Sequence, residues 1–281
     1  MLVLVATPIG NLADISERAL VELGRADSVA CEDTRRTGSL FARLGIEHTP
    51  FIMCNEHTER RAAEEIIARI GAGERVALVS DAGTPAVSDP GQKVVEAVLD
   101  AGFGVESIPG PSAALVALTV SGFATDRFCV EGFLPRKGAQ RTQRLNDLRT
   151  EQRTSVIFEA PHRISKTVDD LQAAVGGDRR AAIARELTKR FEAVWRGTLS
   201  DAATHLVETE PRGEYVIVLE GAGEAPVTEE MLRAALQTEL DSGCSRRDAV
   251  DAVVSATGAK KRQVYDLALQ LDSSSRTSEA D

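Results

Sequence analysis

Ser80-Asp81-Ala82-Gly83-Thr84-Pro85-Ala86-Val87-Ser88-Asp89-Pro90-Gly91 follows directly on a short apolar run, Val76-Ala77-Leu78-Val79. The run reads as a buried strand and the stretch as the loop at its carboxyl end, where open α/β sheets bind ligands. Two carboxylates, hydroxyls, glycines and prolines make it too rigid and too polar for a linker. Taken alone, it reads equally well as a strand-to-helix turn in which Asp89 caps the next helix ahead of Pro90. The neighbouring segments decide.

Working outward, strands and amphipathic helices alternate from the start. Strands are expected at Leu2 to Ala6, Ser28 to Cys31, Val76 to Ser80 and Gly104 to Ile108, and helices at Ile15 to Leu23, Thr37 to Leu44, Thr58 to Gly71 and Gln92 to Ala101. This rhythm implies a parallel sheet covered on both faces. Pro109-Gly110-Pro111 interrupts it, and Ser112 is positioned to cap a helix from Ala113 to Ser121, so a domain junction is expected here. Beyond it, strands at Phe128 to Gly132, Thr154 to Phe158, Ala181 to Ala184, Phe191 to Arg196 and Tyr215 to Leu219 outnumber the helices at Gln140 to Gln152 and Ile164 to Val175. That pattern points to a mixed α+β domain. After a linker at 221–226 come three helical stretches, Thr228 to Asp241, Arg246 to Thr257 with Ser245 as cap, and Lys260 to Leu271. The expected organisation is an N-terminal α/β domain (1–113), a second α/β domain (114–221), a three-helix module (226–272) and a disordered tail (273–281).

Composition narrows the function. No apolar run approaches the roughly 20 residues of a membrane helix, and the N-terminus lacks a basic leader, so a cytoplasmic protein without membrane contact is expected. Cys31, Cys54, Cys129 and Cys244 show no metal-ligand spacing and read as buried free thiols, and His48, His57, His162 and His205 are equally dispersed. No metal is expected. The net charge of −10 hides a segregation: residues 1–126 carry −8, residues 127–190 carry +6, and residues 191–281 carry −8. A concentrated positive segment suits a phosphate backbone whatever the total.

The loops supply the chemistry. Thr7-Pro8-Ile9-Gly10-Asn11-Leu12 leaves the first strand with one glycine, so it is neither a dinucleotide fingerprint nor a P-loop. Glu32-Asp33-Thr34-Arg35-Arg36 and Asn55-Glu56-His57 leave the next two strands, and polar clusters gathered at one sheet edge are how an α/β site is assembled. In the second domain, Glu159-Ala160-Pro161-His162-Arg163 and Arg185-Glu186-Leu187-Thr188-Lys189 each supply acid and base within five residues. His162 is a candidate general base or phosphate contact. Glu186 with Lys189 reads either as a site pair or as a solvent-exposed ion pair.

Nine ordered segments together resemble the ribosomal RNA small subunit methyltransferase I family of the tetrapyrrole methylase superfamily. They are Pro8 to Leu12, Glu32 to Arg35, Asn55 to His57, Ser80 to Gly91, Pro109 to Ala113, Glu131 to Pro135, Pro161 to Arg163, Arg185 to Lys189 and Gly213-Glu214. Phe158 departs from the family's usual tyrosine, and Ala86 from its usual isoleucine. The resemblance implies a two-domain tetrapyrrole-methylase-like fold, a homodimer, and S-adenosylmethionine bound between the domains. It further implies methyl transfer to the 2′-hydroxyl of a cytidine ribose in the decoding region of 16S rRNA, on the assembled small subunit. Cofactor contacts then fall on Pro8, Ile9, Gly10, Asp81, Ala82, Gly83, Thr84, Ser112, Ala113, Phe133, Leu134, Ala184 and Glu186. The catalytic candidates are Glu186 or Glu159 as proton acceptor, with Lys189 or Arg35 steadying charge, Asp81 being read as a cofactor-orienting group. Expected RNA contacts are Arg136, Lys137, Arg141, Arg144, His162 and Arg163, with Lys260, Lys261 and Arg262 in the helical module. The alternatives are a tetrapyrrole methyltransferase, a diphthamide-type methyltransferase acting on a modified histidine, and a non-catalytic RNA-binding ribosome-assembly factor.

Overall fold

The computed structural model describes residues 1–47, 49–223 and 228–277, with side chains to 271; His48, the linker residues 224–227 and the tail from 278 lie outside the described residues. The chain forms two compact units, Met1–Ala222 and Gly223–Asp281.

The first sheet contains β1 (Leu2–Val5), β2 (Ser28–Cys31), β3 (Phe51–Met53), β4 (Val76–Leu78) and β5 (Val105–Ile108), in the order β3-β2-β4-β1-β5. Every pairing is parallel. The unbroken apolar run of β1 follows from burial on both faces: Leu2 and Leu4 enter one core, with Ile66 of α3 (Glu59–Gly71) and Val98 of α4 (Gln92–Asp100). Val3 and Val5 enter the other, with Leu23 of α1 (Glu17–Arg25) and Phe41 of α2 (Thr34–Leu44). At the centre, the connection from β1 runs to β2 on one side and that from β4 to β5 on the other. This is the switch point where a crevice opens beyond the strand ends. A bridge between Thr7 and Gly83 ties the two loops together there.

Two local readings change. Helix α2 begins at Thr34, three residues earlier than the periodicity predicts, because Asp33 caps it by accepting the Arg35 N–H. Asp89 does not cap α4. Gly91 stands at that position, and Glu59 of α3 accepts the Gly91 and Lys93 N–H groups at 2.8 and 3.0 Å. A carboxylate from a neighbouring helix thus performs the capping, which frees Asp89.

Helix α5 (Ala113–Ser121) packs on the second sheet, burying Ala114, Ala117 and Leu118 against Val156, Ala182 and Val218. That sheet contains β6 (Phe128–Phe133), β7 (Thr154–Glu159), β8 (Arg180–Arg185), β9 (Ala193–Thr198) and β10 (Tyr215–Leu219), in the order β6-β7-β10-β8-β9. Only β6 and β7 pair in parallel. Its other face is covered by α6 (Ala139–Thr150), α7 (Ile164–Val175) and α8 (Leu199–Glu208) through Leu148, Leu171 and Leu206. Helix α8 was not foreseen from the apolar pattern, although Thr198 and Asp201 form a reciprocal capping box at its start. The mixed α/β architecture is as expected.

In the second unit, α9 (Glu229–Asp241), α10 (Arg246–Thr257) and α11 (Lys261–Thr277) enclose a core of Leu232, Leu236, Val250, Val253, Val264 and Leu267. Ser245 caps α10 through the Asp248 N–H, and Gly258 ends it in the left-handed region. Helix α11 continues to Thr277, into the segment expected as the tail. Among the described residues, no helix is long and apolar enough to cross a membrane.

Candidate active site

Beyond the ends of β1, β2 and β4 lies a cavity of about 370 Å³, closed on its far side by the second sheet, and its size suits a small-molecule ligand. The first sheet contributes Ile9, Glu32, Arg36, the run Asp81 to Thr84, Ser88 and Asp89. Ser112 and Ala113 come from the start of α5, and Phe133, Phe158, Glu159, Pro161 and Tyr215 from the second sheet. An adjoining depression holds Pro8, Gly10, Arg36, Asp81, Lys189 and Glu214.

The loops are held by specific contacts. Thr84 Oγ1 donates to the Pro111 carbonyl at 3.1 Å, joining the loops after β4 and β5. Gly83 has φ +84°, a region that favours glycine. Gly10 is needed for space: a Cβ there would lie 2.4 Å from Lys189 Cγ and 2.9 Å from Thr188 Oγ1. Gly132, at a bulge in β6 with φ +66°, lets the Ser88 hydroxyl approach to within 2.9 Å of where a Cβ would stand. The loop after β4 therefore touches the second sheet directly.

The first-sheet wall is acidic. Burial, then repulsion from Glu32 and Asp81, pushes the Asp89 carboxyl up to about 6. Burial and the Asp81 charge also raise Glu32. Asp81 is paired at 3.0 Å with Arg36, a residue that sequence reasoning passed over. Its place three residues after the helix cap Asp33 was the available signal. Asp89 was missed as a site residue because it had been read as a cap.

The expected cofactor residues divide. Ile9, Asp81, Ala82, Gly83, Thr84, Ser112, Ala113 and Phe133 line the cavity, and Pro8 and Gly10 the depression beside it. Leu134 and Ala184 are core residues, 2% and 1% exposed: Leu134 packs in the core beneath α6, α7 and α8, and Ala184, on the same sheet face as Val216 and Phe158, packs in the core that α5 closes. Glu186 lines neither.

The catalytic candidates are also sorted by their contacts. Arg35 projects into solvent, 90% exposed, and is held by Asp33. Lys189 Nζ lies 2.9 Å from Glu186 Oε1 and 2.8 Å from Glu214 Oε2, and Glu186 Oε1 also accepts the Glu214 N–H. Burial opposes ionisation of Glu186, but these donors hold its carboxyl below the usual range. Glu159 lines the cavity, yet it accepts from Ala160 N–H and from Thr167 Oγ1 at 2.6 Å, and it pairs with Arg163. Carboxylates engaged in this way brace the loops that carry them.

The RNA candidates divide likewise. Arg141 is buried, bonded to Asp170, the Pro135 carbonyl and Thr167, so it is structural. Arg163 binds Glu159 and the Leu134 carbonyl, and Arg144 pairs with Glu131. Arg136, Lys137 and His162 are exposed. In the second unit, Lys261 pairs with Asp251, while Lys260 and Arg262 line a depression that also holds Glu229 and Asp266. Cys31 and Cys54 are buried free thiols, with burial pushing Cys54 up to about 12, but Cys129 is half-buried and Cys244 exposed. No group of side chains fit to hold a metal occurs among the described residues.

The tetrapyrrole (corrin/porphyrin) methylase family profile matches residues 1–203. The chain belongs to this family. It is 44% identical over 275 residues to ribosomal RNA small subunit methyltransferase I of Synechocystis sp., covering 97% of this chain and 98% of the relative. Its identity to the protein of the same name from Pseudomonas aeruginosa is 42%, with 96% of each covered. Within the tetrapyrrole methylases it therefore groups with ribosomal RNA small subunit methyltransferase I. Among solved structures, the methyltransferase CobJ superposes with a TM-score of 0.61 at 18% identity, covering 81% of this chain and 96% of that one. Diphthine synthase gives 0.59 at 17%, covering 78% and 90%. At such identity these two describe the fold.

Proposed function

We propose that this protein transfers the methyl group of S-adenosylmethionine to the 2′-hydroxyl of a cytidine ribose in the decoding region of 16S rRNA, acting in the cytoplasm as a homodimer on the assembled small subunit. The observation that carries this reading is identity of 38–44% over nearly the whole chain to proteins named for small-subunit ribosomal RNA methylation. Solved structures named for tetrapyrrole or diphthine chemistry share only the fold, and this favours RNA over those substrates.

The cavity fits the cofactor. Its lining includes backbone brought close at Gly83, its walls include apolar Ile9, Ala113 and Phe133, and the carboxylates Glu32, Asp81 and Asp89 suit a cation. When bound, S-adenosylmethionine supplies a methyl group on a positively charged sulfur, already electrophilic. The protein's task is then alignment and removal of one proton. Proximity alone can supply much of the rate. We assign the proton acceptor to Asp89: it lines the cavity, pairs with no cation among the described residues, and is poised near neutrality, where general bases work best. Arg36 positions Asp81, and the Lys189, Glu186 and Glu214 cluster braces the loop after β1.

Calorimetry with S-adenosylmethionine, followed by methyl incorporation into small subunits from a deletion strain, tests the reading. The expected result is binding of the cofactor and incorporation recovered as 2′-O-methylcytidine by nucleoside mass spectrometry. Absence of cofactor binding would instead indicate an assembly factor.

A further inference from the structure

Beside the active-site cavity lies a second recess of about 320 Å³, lined by Arg136, Arg141, His162, Arg163, Lys166 and Thr167. Its location follows from two loops. After β6, Phe133 faces the cavity and Arg136, three residues on, faces the recess; after β7, Glu159 to Pro161 face the cavity and His162 and Arg163 face the recess. Each loop therefore serves both sites in sequence.

The cations in the recess have two kinds of work. Arg141 Nη1 donates to the Pro135 carbonyl at 2.9 Å, and Arg163 Nη2 to the Leu134 carbonyl at 2.8 Å. Their charges are met by Asp170 and Glu159 at 2.8 and 3.2 Å. These two arginines brace the walls. Arg136 and His162 are exposed and have no ion pair or hydrogen bond among the described residues, and Lys166, 71% exposed, has only a 3.3 Å pairing with Asp170. A pre-organised recess with spare basic groups at its rim and five basic side chains against two carboxylates suits an anion with several oxygens.

We propose that this recess is a subsite for a backbone phosphate flanking the target nucleotide, bound through Arg136, Lys166 and His162 while the ribose enters the adjoining cavity. The inference rests on the RNA reading above, and it adds which cations touch the substrate and where. A phosphate here would fix the register of the strand, since phosphate contacts position a nucleic acid without reading its bases.

The test uses the full chain and small subunits purified from a deletion strain, measuring subunit binding by filter retention over a salt series together with methylation kinetics. For the double variant R136Q/K166Q, at two exposed positions, subunit Kd should rise about tenfold or more, with the loss falling mainly on KM. The slope of log K against log salt should become shallower by about 0.7 per lost contact. Affinity for S-adenosylmethionine should be unchanged, and the single variant R136K should retain most of the affinity. Wild-type methylation with unaltered subunit Kd and salt slope in the double variant overturns the subsite and leaves the proposed function standing. Salt-dependent loss of binding in the variant, with no methylation by wild type, keeps the phosphate site and overturns the function. Failure of wild type to bind subunits at all, with retention of an acidic peptide instead, overturns both.

Discussion

The two sheets carry opposite charge at the neighbouring sites that their loops build. The parallel sheet offers Glu32, Asp81 and Asp89, carboxylates crowded at strand ends, whereas the loops of the mixed sheet carry Arg136, His162, Arg163 and Lys166. Their manner of support differs as well. On the parallel side Arg36 pairs with Asp81, but burial and repulsion among the carboxylates raise Glu32 and Asp89, so this wall is only partly neutralised. On the mixed side each buried charge has a partner: Glu159 with Arg163, and Asp170 with Arg141. A partly neutralised acidic wall suits a cationic cofactor, and a satisfied scaffold with spare basic groups at its rim suits a polyanion. Poise for chemistry and rigidity for recognition are thus built on different sheets.

The scaffold on the mixed side is broken most severely by Glu159→Ala. Removing a fully buried carboxylate leaves Arg163, the Ala160 N–H and the Thr167 hydroxyl without their acceptor, at a cost of about 3 kcal/mol. Urea unfolding should register this as a lower midpoint with an unchanged slope. An effect under 1 kcal/mol would mean that the loop is not braced as described.

Next in size is Gly10→Ala. The added methyl meets Lys189 Cγ and Thr188 Oγ1, and overpacking of this kind costs about 1–3 kcal/mol. Cofactor affinity should fall about tenfold by calorimetry, with the second sheet undisturbed.

Asp89→Asn sharpens the comparison by separating stability from activity. The Asp89 carboxyl is raised in the folded protein above its ordinary value of 3.8 to about 6. Its contribution is therefore most favourable below about pH 4 and is lost as pH rises through about 6. The variant should match wild type in stability near pH 4 and exceed it by about 1 kcal/mol above pH 7, a figure reduced for solvent screening of this half-buried group. Methylation should drop about 100-fold. A stability difference independent of pH would refute the strained-wall account, and full activity would remove Asp89 as proton acceptor.

The smallest effect is expected from Arg35→Ala. Its guanidinium is exposed and faces Asp33, so methylation should stay within about twofold of wild type, as exposed pairs contribute little. Arg36→Ala, by contrast, frees Asp81 and should weaken cofactor binding several-fold. Equal effects of the two variants would overturn the distinction between them.

Much of this was legible in the chain. The alternation of β1 between two cores, the loops at strand ends, the break at Pro109-Gly110-Pro111 and the charge segregation follow from local pattern, because burial on a strand or helix face imposes a period that the sequence must carry. The nine ordered segments carried the family. What the sequence could not decide was which member of each cluster faces the cavity. Arg35 and Arg36 are neighbours in one motif, yet one is solvated and the other holds Asp81 in the loop after the adjacent strand. Asp89 has the right residue type and position for a cap, but Glu59, thirty positions earlier, takes the helix N–H groups and leaves Asp89 facing the cavity. Glu186 and Glu159 looked like bases until their partners, Lys189 with Glu214 and Arg163 with Thr167, came into view. Residue type and period determine which elements form and what chemistry is available at their ends. The tertiary structure decides which groups are already satisfied, since the partner that neutralises a charge or takes a hydrogen bond usually comes from a distant part of the chain.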